Sequence, residues 1–166
     1  TAADGSDMRP VTVTPEHASQ AQQRRYKKWV AKCKTTTYEE SDGSVAYIHI
    51  PAMMPPALRA FENELGSPEV QSAKALVLDV RNNGGGNIHQ QLLDILSRKR
   101  YATAFNRHMP QGAPTPALYW DRPIVLLINE KSYSDAEVFP HAFKTLELGT
   151  IVGMPTPGAV IGTNDI

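Results

Sequence analysis

The sequence predicts an α/β fold with a mainly parallel sheet. Two apolar runs, KALVLDV (74–80) and PIVLLIN (123–129), have the continuous hydrophobicity of strands that are covered on both faces. Turn residues and a segment of helical periodicity follow each run, so strands and helices alternate along the chain. Because parallel strands need crossover connections, this alternation favours a layered βα architecture.

The remaining elements from residue 45 onward follow the same alternation. Three further strands are predicted at residues 45–50, 101–105 and 150–153. Helices are predicted at 57–65, at 88–98 and after the turn that follows residue 129, the last of them ending near residue 149. Residues 108–120 contain three prolines and are predicted to be a loop.

The first 44 residues differ in composition from the rest. RPVTVT (9–14) is β-branched and alternating, as in a short edge strand. Residues 16–34 form a mostly polar helical stretch with one narrow apolar stripe. We therefore divide the chain into a first segment (1–15), a connector helix and linker (16–44) and an α/β part (45–166).

Composition excludes several classes of protein. Seventeen basic residues balance seventeen acidic ones, so no overall charge attracts nucleic acid. A single cysteine, Cys33, excludes a disulfide framework and a multi-cysteine metal site. No apolar run approaches the ~20 residues that span a bilayer, and the first residues lack the pattern of a signal peptide. We expect no nucleic-acid partner, no membrane span, no metal and no cofactor.

A glycine loop, DVRNNGGGN (79–87), follows the first buried strand. Three consecutive glycines permit positive φ angles and direct backbone N–H groups toward one point, which suits an anion. That anion is either a phosphate or the oxyanion of acyl transfer, but the loop matches no nucleotide-binding motif. A glycine-rich turn without a chemical role is the alternative.

A serine loop, NEKSYSDAE (129–137), follows the second buried strand. Ser134 and Glu137 have the S-x-x-E spacing of a capping box, so the serine is readily explained as a helix N-cap. A serine at a helix start is also a sensible nucleophile, because adjacent N–H groups can hold an oxyanion. Together, the two loops could supply a nucleophile and two donors around one carbonyl.

Four sequence blocks resemble the catalytic half of tricorn-like and tail-specific (C-terminal processing) serine peptidases. In order, they are YIHIP (47–51), the glycine loop, NEKSYSDAEVF (129–139) and LGTIVG (148–153). The resemblance implies an incomplete crotonase-like or Clp-protease-like layered βα fold. It also implies that residues 1–15 end a PDZ domain and that residues 16–44 connect it to the catalytic part.

The same resemblance implies the roles of four residues. Ser134 matches the nucleophile of the family, and the N–H of Asp135 matches one oxyanion donor. The second donor is the N–H of Gly86, with Gly85 as the alternative because three identical residues leave the register open.

The general base is not evident in the chain. In tail-specific enzymes a lysine lies some two dozen residues beyond the serine, but the last lysine here, Lys144, is ten residues beyond it, roughly 15 Å along a helix. His141 would be about 10 Å along the same helix. We interpret His49 as a packed strand residue. His17, His89 and His108 have no positioned carboxylate partner in the sequence.

In tricorn-like enzymes an upstream histidine and a downstream glutamate complete the site. We therefore expect this chain to be a fragment that lacks the base, with the rest of the same polypeptide as its partner, and to be inactive alone. The expected substrate is a peptide or an unfolded protein. The sequence does not decide whether the protein forms a homo-oligomer.

A non-enzymatic module of the same fold, binding a ligand or a peptide, is the alternative function. Such a module has no need for a serine beside oxyanion glycines. A crotonase-type acyl-CoA enzyme would use paired N–H groups without a serine nucleophile. The compartment is not fixed by the sequence, although the resemblance to exported bacterial enzymes favours the periplasm over the cytoplasm.

Overall fold

The computed structural model describes Thr12 and residues 15–160, which belong to two compact units, Thr1–Lys32 and Cys33–Ile166. The predicted strand at 9–14, apart from Thr12, and the tail at 162–166 lie outside the described residues. The division into segments 1–15, 16–44 and 45–166 stays a prediction.

Strands and helices mostly alternate in the described residues, as predicted, although two helices and two strands are also consecutive. In chain order they are α1 (Ala18–Glu40), β1 (Val45–His49), α2 (Pro55–Leu65), α3 (Pro68–Ser72), β2 (Ala75–Asp79), α4 (His89–Leu96), β3 (Ala102–Asn106), β4 (Met109–Thr115), β5 (Ile124–Ile128), α5 (Asp135–Thr145) and β6 (Thr150–Gly153).

The main sheet has four parallel strands in the order β1-β2-β5-β6. Its two middle strands, β2 and β5, are the two apolar runs that predicted the fold. The crossovers through α2, α4 and α5 bury an apolar core that includes Ile48, Leu78, Leu126, Phe139 and Phe143. This confirms the expected α/β layering with a parallel sheet.

Several helix boundaries differ from the sequence prediction. The helix predicted at 16–34 continues to Glu40, and none of its residues is fully buried. The short helix α3 was not predicted; the side chain of Ser67 caps it by accepting from the N–H of Val70. α2 and α3 both begin with proline, which suits the first helical turn because its missing N–H would have no intrahelical partner.

The prediction of a loop at residues 108–120 is wrong for the first half of that segment. Residues Met109–Thr115 form β4, which pairs antiparallel with β3 in a separate two-stranded sheet. Pro110 and Pro114 had argued against a strand. They are tolerated because each strand of a two-stranded sheet has one free edge, where a missing N–H costs no ladder bond.

The order of the strands determines where the two junction loops lie. β2 and β5 are parallel neighbours, with Asp79 opposite Leu127 near their carboxyl ends. The loops that leave these strands therefore emerge side by side at one edge of the sheet, where ligands of parallel sheets bind.

Within the described residues, no helix combines the length and the apolar character needed to cross a bilayer.

We predict that Leu78→Ala lowers the free energy of unfolding by about 2–5 kcal/mol, because it opens a cavity in the fully buried centre of β2. Leu146→Ala is the matched control, since Leu146 is 52% exposed, and should change stability by about 0.5 kcal/mol or less. Urea denaturation measures both. Equal losses would contradict the placement of the core.

Candidate active site

Ser134 lies at the turn between β5 and α5 with backbone angles that serine rarely adopts. Its φ is 55° and its ψ is −119°, and a residue held in such a conformation stores about 1–3 kcal/mol of strain. α5 begins at the next residue, so Ser134 is the N-cap. A strained serine at a sharp strand-to-helix turn is the geometry that presents the nucleophile in α/β-hydrolases.

The glycine loop lies directly against this turn. A Cβ added to Gly85 would be 2.8 Å from the Cβ of Ser134, 2.7 Å from the carbonyl oxygen of Tyr133 and 3.0 Å from the nitrogen of Asp135. Gly85 also has a φ of +95°, so only glycine fits both the space and the conformation. The predicted meeting of the two junction loops is therefore confirmed.

Gly86 is held on the other side by Met53. The N–H of Met53 donates to the carbonyl oxygen of Gly85 (2.9 Å), and the N–H of Asn87 donates to the carbonyl oxygen of Met53 (2.8 Å). Because the Gly85 carbonyl points toward Met53, the N–H of Gly86 in the same trans peptide points away from Met53. The N–H of Gly85, in contrast, donates to Oδ1 of Asn83 at 2.9 Å.

Asn83 connects three segments from inside the protein. Its Nδ2 donates to the carbonyl oxygen of Ile50 (2.9 Å), while its Oδ1 accepts from Gly85. Its own carbonyl oxygen accepts from the N–H of Tyr133 at 2.9 Å. The residue is fully buried, so these bonds are shielded from water and join the end of β1, the glycine loop and the serine turn.

The two loops are also joined near the ends of their strands. The hydroxyl of Ser132, which is fully buried, donates to the carbonyl oxygen of Val80 at 2.9 Å. The Oγ of Ser132 in turn accepts from the N–H of Asn129 at 3.1 Å. The side-chain amides of Asn129 and Asn82 bond across the gap at 3.1 Å.

The start of the glycine loop is anchored by Asp79. This buried carboxylate accepts from the hydroxyl of Tyr47 (2.6 Å) and from the side chain and N–H of Arg81. Burial raises the pKa of Tyr47, and the bond to Asp79 raises it further. The hydrogen bond to Asp79 likewise raises the pKa of Arg81. The DVR segment of the loop therefore has a structural role.

Glu137 fixes the other flank of the serine. Its carboxylate accepts from the N–H of Ser134 (2.9 Å) and from the N–H groups of Gly158 (2.6 Å) and Ala159 (3.3 Å). In the other direction the N–H of Glu137 donates to the backbone carbonyl of Ser134 at 2.8 Å. This bond does not use the serine hydroxyl. The capping pair predicted from S-x-x-E is present, and it also holds the segment after β6.

Hydrogen bonds control the ionisation of Glu137. Burial raises its pKa, but the bond from Ser134 and the further donors Thr156, Gly158 and Ala159 outweigh that effect. The pKa therefore lies below its ordinary value of 4.5, and the carboxylate is charged at neutral pH.

The carboxylate of Asp135 ties the start of α5 to the start of α4. Its Oδ2 accepts from the N–H groups of Ile88 (2.9 Å) and His89 (3.1 Å), and its Oδ1 bonds Nδ1 of the His89 ring. The expectation that His89 has no carboxylate partner is wrong. The two residues are 46 positions apart in the sequence, and only the parallel pairing of β2 and β5 brings them together.

A family model matches the part of the chain that contains this site. Residues 44–165 match the model of peptidase family S41. The chain belongs to peptidase family S41. The match includes both junction loops and all four predicted site residues.

Tricorn proteases are among the S41 relatives. The chain is 36% identical over 138 residues to the tricorn protease of Thermoplasma volcanium, and 34% identical over 164 residues to tricorn protease homolog 1 of Streptomyces coelicolor. These alignments cover 83% and 95% of this chain but 13% and 14% of the relatives. A crystal structure of the tricorn protease superposes with a TM-score of 0.74 at 34% identity, over 83% of this chain and 13% of that one.

The chain spans about one seventh of the length of these S41 relatives. The resemblance inferred from the four sequence blocks is confirmed at the level of the family. The PDZ remnant and the crotonase-like description of the fold stay predictions.

His49, His141 and Lys144 lie in regular secondary structure. His49 is buried in β1, with Nε2 3.1 Å from the carbonyl oxygen of Arg81, and burial lowers its pKa. This agrees with its interpretation as a packed strand residue. His141 and Lys144 lie in α5, as predicted, about 10 and 15 Å beyond Ser134 along the axis. Among the described residues, no group of three or more His, Cys, Asp or Glu could hold a metal ion.

The structure brings Ser134, Asp135, Gly85 and Gly86 to one place, as the paired loops predicted. Sequence reasoning missed the role of Asn83, the bonds of the Asp135 carboxylate to the start of α4, and the bonds of Glu137 to the segment after β6. An asparagine between a buried strand and a glycine run was a usable signal, because such a side chain can replace missing backbone partners in a turn.

We predict that Gly85→Ala destabilises the S41 domain, because the new methyl group would meet Tyr133 and Ser134 at less than 3 Å. The positive φ adds strain, for a total loss of about 2–4 kcal/mol in unfolding free energy. Gly84→Ala is the matched control, because no atom lies within 4 Å of its added Cβ, and should be nearly neutral. A neutral Gly85→Ala would contradict the close packing of the two loops.

Glu137→Gln should lose stability in a pH-dependent way. The pKa of Glu137 is lowered in the folded protein, so its stabilisation is complete above about pH 4.5 and disappears as the pH falls through the lowered value. The variant should be about 1–2 kcal/mol less stable near neutral pH, and the difference should shrink below about pH 4.5.

Urea titrations of both proteins across this pH range measure the difference. Glu130→Gln, an exposed carboxylate in the same turn, is the control and should show no comparable trend. A stability gap that stays constant down to acidic pH would contradict the role assigned to the Glu137 carboxylate.

Proposed function

We propose that this chain is the nucleophile-bearing part of a serine peptidase that cleaves peptide bonds through an acyl-enzyme at Ser134. The observation that carries the proposal is the contact between the two junction loops: a Cβ added to Gly85 would lie 2.8 Å from the Cβ of Ser134 and 3.0 Å from the nitrogen of Asp135. Membership of peptidase family S41 and the similarity to proteins named tricorn protease support the same reaction.

In the proposed reaction, Ser134 Oγ attacks the carbonyl carbon of the scissile peptide bond as a base accepts its proton. The carbonyl oxygen becomes an oxyanion, and the N–H groups of Asp135 and Gly86 donate to it. The tetrahedral intermediate then expels the amine of the leaving peptide, which takes a proton from the conjugate acid of the base. Water hydrolyses the remaining ester and frees Ser134 for another cycle.

Gly86 is favoured over Gly85 as the second donor. The N–H of Gly85 already donates to Asn83, whereas the N–H of Gly86 points away from its backbone partner Met53. Gly86 is exposed, so a substrate carbonyl can approach it. Gly85 then serves as the spacer that lets the two loops touch.

The base and its orienting group are proposed to come from the rest of the same polypeptide. The resemblance to tricorn-like enzymes suggests an upstream histidine and a downstream glutamate for these roles, and a preceding PDZ domain that ends within residues 1–15. In this proposal residues 16–44 connect that domain to an S41 part at 45–166. The same resemblance suggests that the substrates are peptides or unfolded proteins.

Ser134→Ala in the full-length protein should abolish hydrolysis of unstructured peptides. Removal of a nucleophile leaves only the modest rate that binding and the oxyanion donors provide. Stability should change by less than about 1 kcal/mol, since the N–H of Ser134 donates to the Glu137 carboxylate and the N–H of Glu137 donates to the Ser134 carbonyl, and both bonds remain without the hydroxyl. Peptide cleavage and urea denaturation are measured on the same preparations.

Ser134→Gly separates strain from chemistry. Glycine relieves the positive φ, so this variant should be more stable than Ser134→Ala while being equally inactive. Undiminished cleavage by either variant would exclude Ser134 as the nucleophile. A loss of stability of about 1 kcal/mol with full activity would instead identify the serine as a helix cap.

A further inference from the structure

The pair formed by Asp135 and His89 is not explained by the proposed reaction. That reaction uses only the backbone N–H of Asp135, yet its side chain is 6% exposed and both of its oxygens are engaged. Every donor to that carboxylate in the described residues belongs to Ile88 or His89, at the start of α4. The buried side chain of Asp135 therefore links the start of α5 to the start of α4.

We propose that Asp135 and His89 are positioning residues that fix the direction of the Asp135 N–H toward the substrate oxyanion. The inference rests on the proposed peptidase function and adds residues to that same site. Because the N–H and the carboxylate belong to one residue, holding both carboxylate oxygens restricts rotation of the Asp135 peptide. The anchor at α4 follows directly on the glycine loop that carries the second donor.

The three hydrogen bonds to the Asp135 carboxylate restrain it in different ways. The two backbone donors, from Ile88 and His89, both reach Oδ2 and would allow the carboxylate to pivot about that atom. The His89 ring holds the second oxygen, Oδ1, and removes the pivot. The ring thus fixes the carboxylate at both oxygens. Of the three hydrogen bonds, only the one from the His89 ring can be removed by substituting a side chain.

The bonds also reduce an electrostatic cost. A charged carboxylate one side chain away from the oxyanion site opposes the negative charge that develops there in the transition state. Three donors on the side of α4 orient positive dipole toward this carboxylate and offset part of that opposition. His89 is half-buried and has no hydrogen bond to Ser134 in the structure, so its action is assigned through Asp135.

An oxyanion donor acts mainly in the transition state, so its misplacement lowers kcat more than it raises KM. We expect His89→Ala to lower kcat by about 10- to 100-fold, less than the loss of a whole donor, with KM changed by less than about twofold. His89→Asn keeps a short N–H donor and should recover most of the lost kcat.

The test uses the full-length protein with an unstructured peptide as substrate. Steady-state kcat, KM and the melting temperature are measured for wild type, His89→Ala and His89→Asn, with Ser134→Ala as the blank. His108→Ala is the matched control, because it removes an exposed histidine from the β3–β4 hairpin, and should leave all three quantities unchanged. If His89→Ala does not fold, His89→Leu, which fills the same space without a donor, replaces it.

The outcomes separate the inference from the proposed function. Absence of Ser134-dependent hydrolysis in wild type would refute the proposed function. Normal kcat in the donor-free variant of an active enzyme would overturn the positioning role alone. So would a fall in kcat that tracks the melting temperature and is not rescued by His89→Asn. Losses as complete as that of Ser134→Ala in both His89 variants would make His89 a base and would also overturn it.

Discussion

The buried amide of Asn83 joins three segments that are distant in the sequence. It donates to the end of β1, accepts from the glycine loop and, through its backbone, accepts from the turn that carries Ser134. Asn83 is fully buried, so each of its polar groups left without a bond would cost about 1–3 kcal/mol. The bonds of Asn83 therefore strongly favour this one arrangement of the loops, and that arrangement determines the geometry of the candidate site.

The strain at Ser134 depends on the same constraint. A serine at φ 55° returns to an ordinary conformation unless its neighbours prevent it. Two acidic residues in the first turn of α5 provide the opposing force: Asp135 binds the start of α4, and Glu137 binds the segment 158–159. Both carboxylates also interact favourably with the positive end of the helix. Strain in one residue is thus balanced by hydrogen bonds to two different segments.

The sequence predicted the features that depend on neighbouring residues and missed those that depend on contacts between distant residues. Buried strands such as β2 and β5 reveal themselves through local hydrophobicity, and their parallel pairing brings the loops after them together. β4 was missed because Pro110 and Pro114 mask a strand that has a free edge. The bond between His89 and Asp135 was missed because no local pattern reports a contact across 46 residues. Local signals predicted that the two loops meet, whereas the contacts that support them became visible only in the fold.

The described residues contain the parts of the proposed site that need the most precise positioning. Oxyanion donors act only within about 3 Å of their target, and here hydrogen bonds to neighbouring segments hold the serine and the loops that carry both proposed donors. A base must also contact the serine hydroxyl, but neither His141 nor Lys144 is close to it along α5. If the base comes from elsewhere in the polypeptide, the N–H donors are positioned before it arrives, and the serine hydroxyl stays unactivated until the segment that carries the base is bound. In the proposed reaction, assembly of the complete protein would therefore be a condition for cleavage, while the proposed oxyanion donors would depend only on the local fold.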